Sequence, residues 1–419
     1  MNFDGYDFES IYSDIDVAKA RYERTYDGYM EHFGVPADDT KISVITAPGR
    51  TEVGGNHTDH QHGIVLAAAI DLDILVFATP NNSDIVNLYS EGYGLLKVDI
   101  ANLDPNQEAL NDDTSRLILG MAAWFKKEGY NVNGFNAYMT SDVLGGSGLS
   151  SSAAFEVAIG NIFNHIYCED RATPVDIAIA GKYGENFYMN KPSGLMDQTA
   201  SSVGGFVLID FNDPTNPIIK PVQFDLHTVG YALCIVDTKG SHADLTNDYA
   251  SMPIEMKSVA HFFGKEVLRD VSEDEFYGRL SEARAVCGDR AILRTVHFFA
   301  ENKRPEQEVR QLETGDFKGF LQTVRESGTS SYKYLQNIYA KPDEQEIAVG
   351  LAVAEHVLDG EGAVRVHGGG LAGTIQAFVP ATKVDIFKST LEAVFGGDSV
   401  YLLNIRPKGG TAVTLASYK

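Results

Sequence analysis

Cysteine is scarce in this chain of 419 residues, and the three that occur, Cys168, Cys234 and Cys287, are widely scattered. That spacing suits neither a metal module nor a redox pair, and an odd count argues against a disulfide framework. Long apolar runs are missing too. The longest, 63–80, is interrupted by Asp71 and Asp73 and cannot comfortably span a bilayer. Residues 1–7 are acidic and lack the apolar stretch of a secretory leader, so no signal peptide is expected. Positive charge is short: 34 Lys and Arg face 58 Asp and Glu, a net charge of −24. Such a field repels nucleic acid and anionic membranes, so neither is expected as a partner. A phosphate site would have to be built locally, from backbone dipoles, a few cations and a metal ion. No Gly-Lys-Ser or Gly-Lys-Thr occurs, which excludes a Walker loop. The remaining composition, 44% apolar and 22% charged, is that of a soluble, most simply cytoplasmic protein with length for two or three domains.

One stretch organises what is present. Residues 144–156 read Leu-Gly-Gly-Ser-Gly-Leu-Ser-Ser-Ser-Ala-Ala-Phe-Glu. Gly145, Gly146 and Gly148 lack Cβ atoms and permit positive φ, so backbone N–H groups can converge on one point. Ser147 and Leu149 lie between them, and Ser150, Ser151 and Ser152 then offer hydroxyls and an N-cap. Ala154, Val157, Ala158, Ile162 and Ile166 recur at helical spacing, predicting a helix behind the loop. A glycine loop opening a helix favours an anion, and the expected ligand is a phosphate. A dinucleotide fingerprint does not fit, because serine stands at 151 where its third glycine belongs. A tight turn before a buried helix, with nothing bound, is the alternative.

Upstream, residues 42–46 read as a strand leading into Ala47-Pro48-Gly49-Arg50-Thr51-Glu52-Val53-Gly54-Gly55-Asn56-His57-Thr58-Asp59-His60. Arg50 and His57 can donate hydrogen bonds, Asp59 accepts, and Asn56 does both, a set suited to sugar hydroxyls. His57, Asp59, His60 and His62 could instead bind a transition metal, although no closed zinc spacing fits. A plain polar loop is the third possibility. Residues 63–79 suggest a strand pair behind this loop.

These residues carry a resemblance. Pro48-Gly49-Arg50 through His57-Thr58-Asp59 resembles the galactokinase signature, and 144–156 resembles the nucleotide loop of the GHMP small-molecule kinases, the superfamily containing galactokinases. Val366-His367-Gly368-Gly369-Gly370-Leu371-Ala372-Gly373 resembles that superfamily's C-terminal glycine-rich motif. Galactokinases usually carry glutamate where Asn56 stands, tyrosine where His60 stands, and Phe-Gly where Leu371-Ala372 stand. The resemblance implies that positions 56 and 57 face the sugar's O6 and that Asp59 holds O3 and O4, with Gly194 and Tyr249 also at the sugar. It implies ATP on residues 145–152, Mg²⁺ held by Ser152 and Glu185, and a catalytic Asp197 in Gly-Leu-Met-Asp-Gln, assisted by Arg50. On pattern alone, Asp197 could equally be a structural helix cap, and Tyr249 could equally be core packing.

The fold it implies is α+β with two domains: an N-terminal ribosomal-protein-S5-like half with a left-handed βαβ unit, and a ferredoxin-like C-terminal half. Turn formers at 211–222 suggest a division into residues 1–215 and 216–419. Helices are expected at 115–128, 174–190, 280–299, 316–340 and 344–358. Strands are expected at 134–142, 231–237, 374–379 and 400–405, and Trp124 is expected in the core. The activity implied is phosphorylation of galactose at its anomeric hydroxyl by a monomeric enzyme. A kinase for a sugar altered at C6 or C2, or an inactive galactose- and ATP-binding regulator, are the alternatives.

Overall fold

The computed structural model describes residues 6–37, 40–107, 112–143, 148–191, 193–240, 245–371 and 373–415. Helix α1 (Ile15–Phe33) starts where the Asp14 carboxylate accepts the Val17 N–H, and it ends at Gly34, whose φ of 73° a side chain would resist. Its tyrosines, Tyr22 and Tyr29, pack with Leu75 and Phe77. Strand β1 (Ser43–Gly54) is buried along its whole length and continues well past the expected 42–46, into the signature segment. Two irregularities in its pairing, between Pro48 and Arg50 and between Glu52 and Gly54, interrupt its register with β2 (Ile64–Pro80). Bulges of this kind re-aim side chains, and they fall beside the polar residues.

β2 is a single strand rather than the expected pair. The two aspartates that seemed to break it are neutralised by distant partners: Asp71 accepts from the backbone and side chain of Asn404, and Asp73 is gripped by two arginines. One edge of β2 pairs with β1. The other is shared between β5 (Phe135–Ser141) and β6 (Phe206–Asp210). β3 (Ile85–Ser90) and β4 (Gly94–Asp99) form a hairpin, and β3 lies parallel to β5 after the chain crosses through α2 (Asp113–Lys127). Helices α3 (Ser151–Tyr167), α4 (Pro174–Tyr188) and α5 (Met196–Val203) join α2 over the sheet. Trp124 sits in the shared core, 6% exposed, as its surroundings suggested. β7 (Ile218–Val222) pairs with β6, so the turn formers at 211–217 lie in a hairpin of the first sheet.

The second sheet holds β8 (Tyr231–Asp237), β9 (Ala363–Val366), β10 (Thr374–Pro380) and β11 (Val400–Leu403), in the order β11-β8-β10-β9 and antiparallel throughout. Between β8 and β9 run α6 (Thr246–Phe262), α7 (Glu273–Gly278), α8 (Leu280–Cys287), α9 (Asp289–Glu301), α10 (Arg304–Glu313), α11 (Phe317–Ser330) and α12 (Glu346–Leu358). The single helix expected over 280–299 is split at Gly288, whose φ of 86° ends one helix and starts the next. With α12 and α13 (Val384–Phe395) packed against it, this sheet has the strand order of a ferredoxin-like fold. β12 (Thr411–Thr414) then returns to the free edge of β1. Among the described residues no helix is long and apolar enough to cross a membrane.

Asp73 fastens these parts together. Its fully buried carboxylate receives Arg21 at 2.5 Å, Arg406 at 2.8 Å and the Tyr12 hydroxyl at 2.6 Å, and Thr46 as well. Burial alone would raise its pKa, but Arg21 and Arg406 outweigh that and hold the carboxyl below its ordinary value. The folded value is depressed, so this contribution is present above the ordinary carboxylate range and is lost as pH falls through the folded value. Asp73→Asn leaves buried Arg406 without a carboxylate and Arg21 with Asp142 alone, and equilibrium urea unfolding at pH 7 should show a loss of about 3–5 kcal/mol. A loss below about 1 kcal/mol would show that the cluster is not a fastening.

Candidate active site

A cavity of about 320 Å³ opens between the signature segment, the start of α3, the segment before α5 and the glycine-rich turn at 368–369. A larger cavity, about 900 Å³, lies between α11, α12 and β9 and is walled chiefly by apolar residues. Chemistry, not size, selects the smaller one.

Arg50, two-pronged, meets Asp197 at its centre: Nε and Nη2 each donate at 2.7 Å to separate carboxylate oxygens. Arg50 is 8% exposed, while the Asp197 side chain keeps 31% of its surface open. Ser150 donates its hydroxyl to the same carboxylate at 2.5 Å. Burial pushes the Asp197 pKa up, yet Arg50 and Ser150 pull it further down, so the carboxyl lies below its ordinary value and is ionised at neutral pH. Asp197 is in the first turn of α5, whose N-terminus also favours negative charge.

The expected sugar face is largely assembled here. His57, held at φ 59°, donates from Nε2 to the Gly369 carbonyl at 3.0 Å. Its Nδ1 lies 3.4 Å from His60 Nε2, and Gln61 Nε2 donates to His60 Nδ1 at 3.2 Å. Burial, and then His57, keep the His60 pKa well below the usual imidazole value. Asp59 lines the cavity too, and burial raises its carboxyl above the ordinary range despite the pull of His57. Gly194 lies against it: a Cβ there would come within 2.9 Å of Asp59 Oδ2 and would force that carboxylate to shift. His62 does not line the cavity, and the described residues contain no group of three or more His, Cys, Asp or Glu able to hold a metal ion.

On the opposite wall stands the start of α3. Gly145, Gly146 and Ser147 lie outside the described residues; Gly148 has φ 74° and Leu149 is fully buried. Ser150 occupies the N-cap position in a left-handed conformation, but its hydroxyl goes to Asp197 rather than to the helix. The expectation that these serines cap the helix therefore fails for Ser150. Its consequence is chemical, since no side chain caps the first turn of α3. Ser152 is exposed and lines the cavity, as does Glu185, 2% exposed, from α4. Glu185 pairs through Oε1 with Lys191 and accepts Gln198 Nε2 at Oε2, 3.1 Å away. Gln198 also donates at 2.9 Å to Glu156, one helical turn beyond Ser152.

Two residues expected at the sugar lie elsewhere. Asn56 is completely buried and does not line the cavity. Its Nδ2 donates to Glu52 and to the Gly368 carbonyl, both at 2.8 Å, while its Oδ1 accepts from Ser331 at 3.1 Å and Asn337 at 3.0 Å. An amide with all four bonds inside the protein is a structural hub. Tyr249 sits behind the glycine-rich turn, where its hydroxyl donates to the Gly370 carbonyl and its ring lies against Gly369. At Gly370 (φ 76°) a Cβ would come within 2.1 Å of the Asn337 carbonyl, which explains the glycine at this position. Buried His367 bridges Thr51 and Thr374, and burial followed by repulsion from Arg50 drives its pKa down to about 3, so it bonds as a neutral ring.

Sequence reasoning missed Glu52, Lys191 and Glu156. Glu52 was detectable, because on a strand it shares a face with Arg50 two residues away. Glu156 follows Ser152 by four on a helix and was similarly within reach. Nothing local marks Lys191.

Comparison with known proteins follows the same geometry. Residues 27–80 match the galactokinase galactose-binding signature and residues 116–205 match the GHMP kinase N-terminal domain. The fold superposes on Lactococcus lactis galactokinase, solved with galactose, with a TM-score of 0.76 at 23% identity over 94% of this chain and 99% of that one. Methanococcus jannaschii mevalonate kinase gives a TM-score of 0.56 at 14% identity, over 88% of this chain and 99% of that one. L. major mevalonate kinase with R-mevalonate gives 0.58 at 15% identity, over 89% and 97%. The chain thus carries the galactokinase galactose-binding signature and a GHMP kinase N-terminal domain, on the fold that these structures share.

Asn56→Ala removes four buried hydrogen bonds and leaves their partners unsatisfied. Thermal and urea unfolding should register a loss of about 3 kcal/mol or more. Were stability unchanged, Asn56 could not be the hub described.

Proposed function

We propose that this protein is an ATP-dependent sugar kinase that transfers the γ-phosphoryl group of ATP to the anomeric hydroxyl of galactose, giving galactose 1-phosphate and ADP. The observation that carries the reading is the Arg50–Asp197–Ser150 cluster, set between a hydroxyl-binding wall and an uncapped helix start. The ATP phosphates would lie against the 145–152 stretch, whose helix N-terminus offers N–H groups and a favourable dipole. His57 and Asp59 would hold sugar hydroxyls, with Gly194 allowing close approach.

Asp197 is ionised and accepts the hydrogen bond of the attacking hydroxyl. Its lowered pKa makes it a weak base, so it orients the nucleophile first and takes the proton only as the new O–P bond forms and the bond to ADP breaks. Arg50 keeps Asp197 charged and, from the same position, offsets charge on the phosphoryl group in transfer. Such reactions depend on positioning and charge stabilisation more than on covalent chemistry.

Magnesium fits the donors present. Ser152 and Glu185 offer hard oxygens on one wall, and Glu185 already takes a cation, the Lys191 ammonium, at Oε1. The remaining positions would fall to phosphate oxygens and water, and the bound ion would neutralise phosphate charge. A related sugar is the second reading, favoured by the withdrawal of Asn56 from the cavity.

The test is ADP formation with Mg²⁺ and ATP against galactose, N-acetylgalactosamine, arabinose, galacturonate, glucose and water. Galactose should be preferred; preference for another member moves the specificity, and turnover with none overturns the reading. Asp197→Asn should lower kcat by about 10²–10⁴-fold while ATP affinity stays within a few-fold. Near-normal turnover in that variant would remove Asp197 from the chemistry.

A further inference from the structure

We infer that Glu52 is a specificity-determining residue that accepts one hydroxyl of the sugar through its Oε2. The inference rests on the sugar-kinase reading above and names a contact within the same cavity. Glu52 and Arg50 lie two apart on β1, on the same face, and both line the cavity. The bulge between Glu52 and Gly54 falls directly after it.

Its two oxygens differ. Oε1 takes Asn56 Nδ2 at 2.8 Å and Arg365 Nη2 at 2.9 Å, so it is fully committed. No hydrogen bond from the described residues reaches Oε2. Nor is that atom sealed: the two oxygens of Glu308 nearby are buried without partners, whereas Oε2 of Glu52 is not among such atoms. A side chain that is 7% exposed and lines the cavity therefore keeps one carboxylate oxygen open, with no partner among the described residues. The Arg365 ion pair, itself fully buried, fixes the rotamer. Asn56 locks the same group from the other side while joining it to the Gly368 carbonyl.

A fixed acceptor of this kind demands a donor when substrate excludes water, because an unpaired buried carboxylate oxygen is costly. An uncharged sugar hydroxyl supplies one; a carboxylate-bearing sugar presented there would be repelled. Asn56 thus has an architectural role, and Glu52 on β1 supplies the acceptor.

The test is calorimetric binding of galactose and its 2-, 3-, 4- and 6-deoxy derivatives to wild type, Glu52→Gln and Asp59→Asn. In wild type at least one deoxy sugar should bind about 100-fold more weakly than galactose and keep that penalty in Asp59→Asn. In Glu52→Gln the same penalty should shrink about tenfold, because a charge-assisted bond has become a neutral one. Unchanged penalties in folded Glu52→Gln overturn the inference, since a merely structural role affects all sugars alike. Should Glu52→Gln fail to fold, loss of every deoxy penalty in Asp59→Asn overturns it equally. Because the readout is binding, turnover without this discrimination sinks Glu52 alone, and discrimination without turnover sinks the kinase reading alone. Absence of any sugar binding sinks both.

Discussion

The paired contact between Arg50 and Asp197 is the constraint on which the rest of the site depends. It joins β1 to α5 across 147 residues of chain, and each partner does something for the other. A guanidinium buried at the base of a cavity needs a carboxylate to offset its desolvation; a carboxylate buried there needs the guanidinium to remain charged. The geometry of a two-pronged pair also fixes direction, so the open face of Asp197 points where a nucleophile would arrive. Around it, Ser150 ties in the start of α3, and the carbonyl of Gly148 accepts a further Arg50 N–H. Phosphate-side and hydroxyl-side walls are thereby referred to one fixed point.

The strongly acidic chain gives this arrangement another meaning. With a net charge of −24, the protein as a whole repels anions, so each cation near the cavity acts against a wide negative background. Arg50 and Lys191 are both engaged by carboxylates, and Arg365 by Glu52. These three cations are thus already paired with carboxylates, while Asp59 adds a further acidic group at the wall.

How much of this was legible in the sequence differs by residue for physical reasons. Arg50, His57, Asp59, Gly194 and Asp197 were readable because each sits in a short motif whose local backbone already aims it at one place. Asn56 was misplaced because its partners, Ser331 and Asn337, lie more than two hundred positions away, and no local pattern announces them. Tyr249 reads the same whether its ring meets a ligand or a glycine turn. The length of β2 was hidden by Asp71 and Asp73, whose charges look disruptive until Arg21, Arg406 and Asn404 are placed beside them. The ferredoxin-like sheet was inferred from resemblance, since the periodicity of four strands separated by many helices cannot give their order.

The return of β12 to β1 bears on the order in which the protein can assemble. Among the described residues, the outer edge of the strand that carries Arg50 and Glu52 is paired at Ser43–Thr46 by residues 411–414, so that edge stays open until those distant residues have been made. During synthesis it offers unpaired N–H and C=O groups to any passing strand, a recognised route to misassembly. A pairing of such long sequence separation is also intrinsically slow to close. The fold thus gains a central strand braced by a segment distant in sequence, with a vulnerable interval before the two meet.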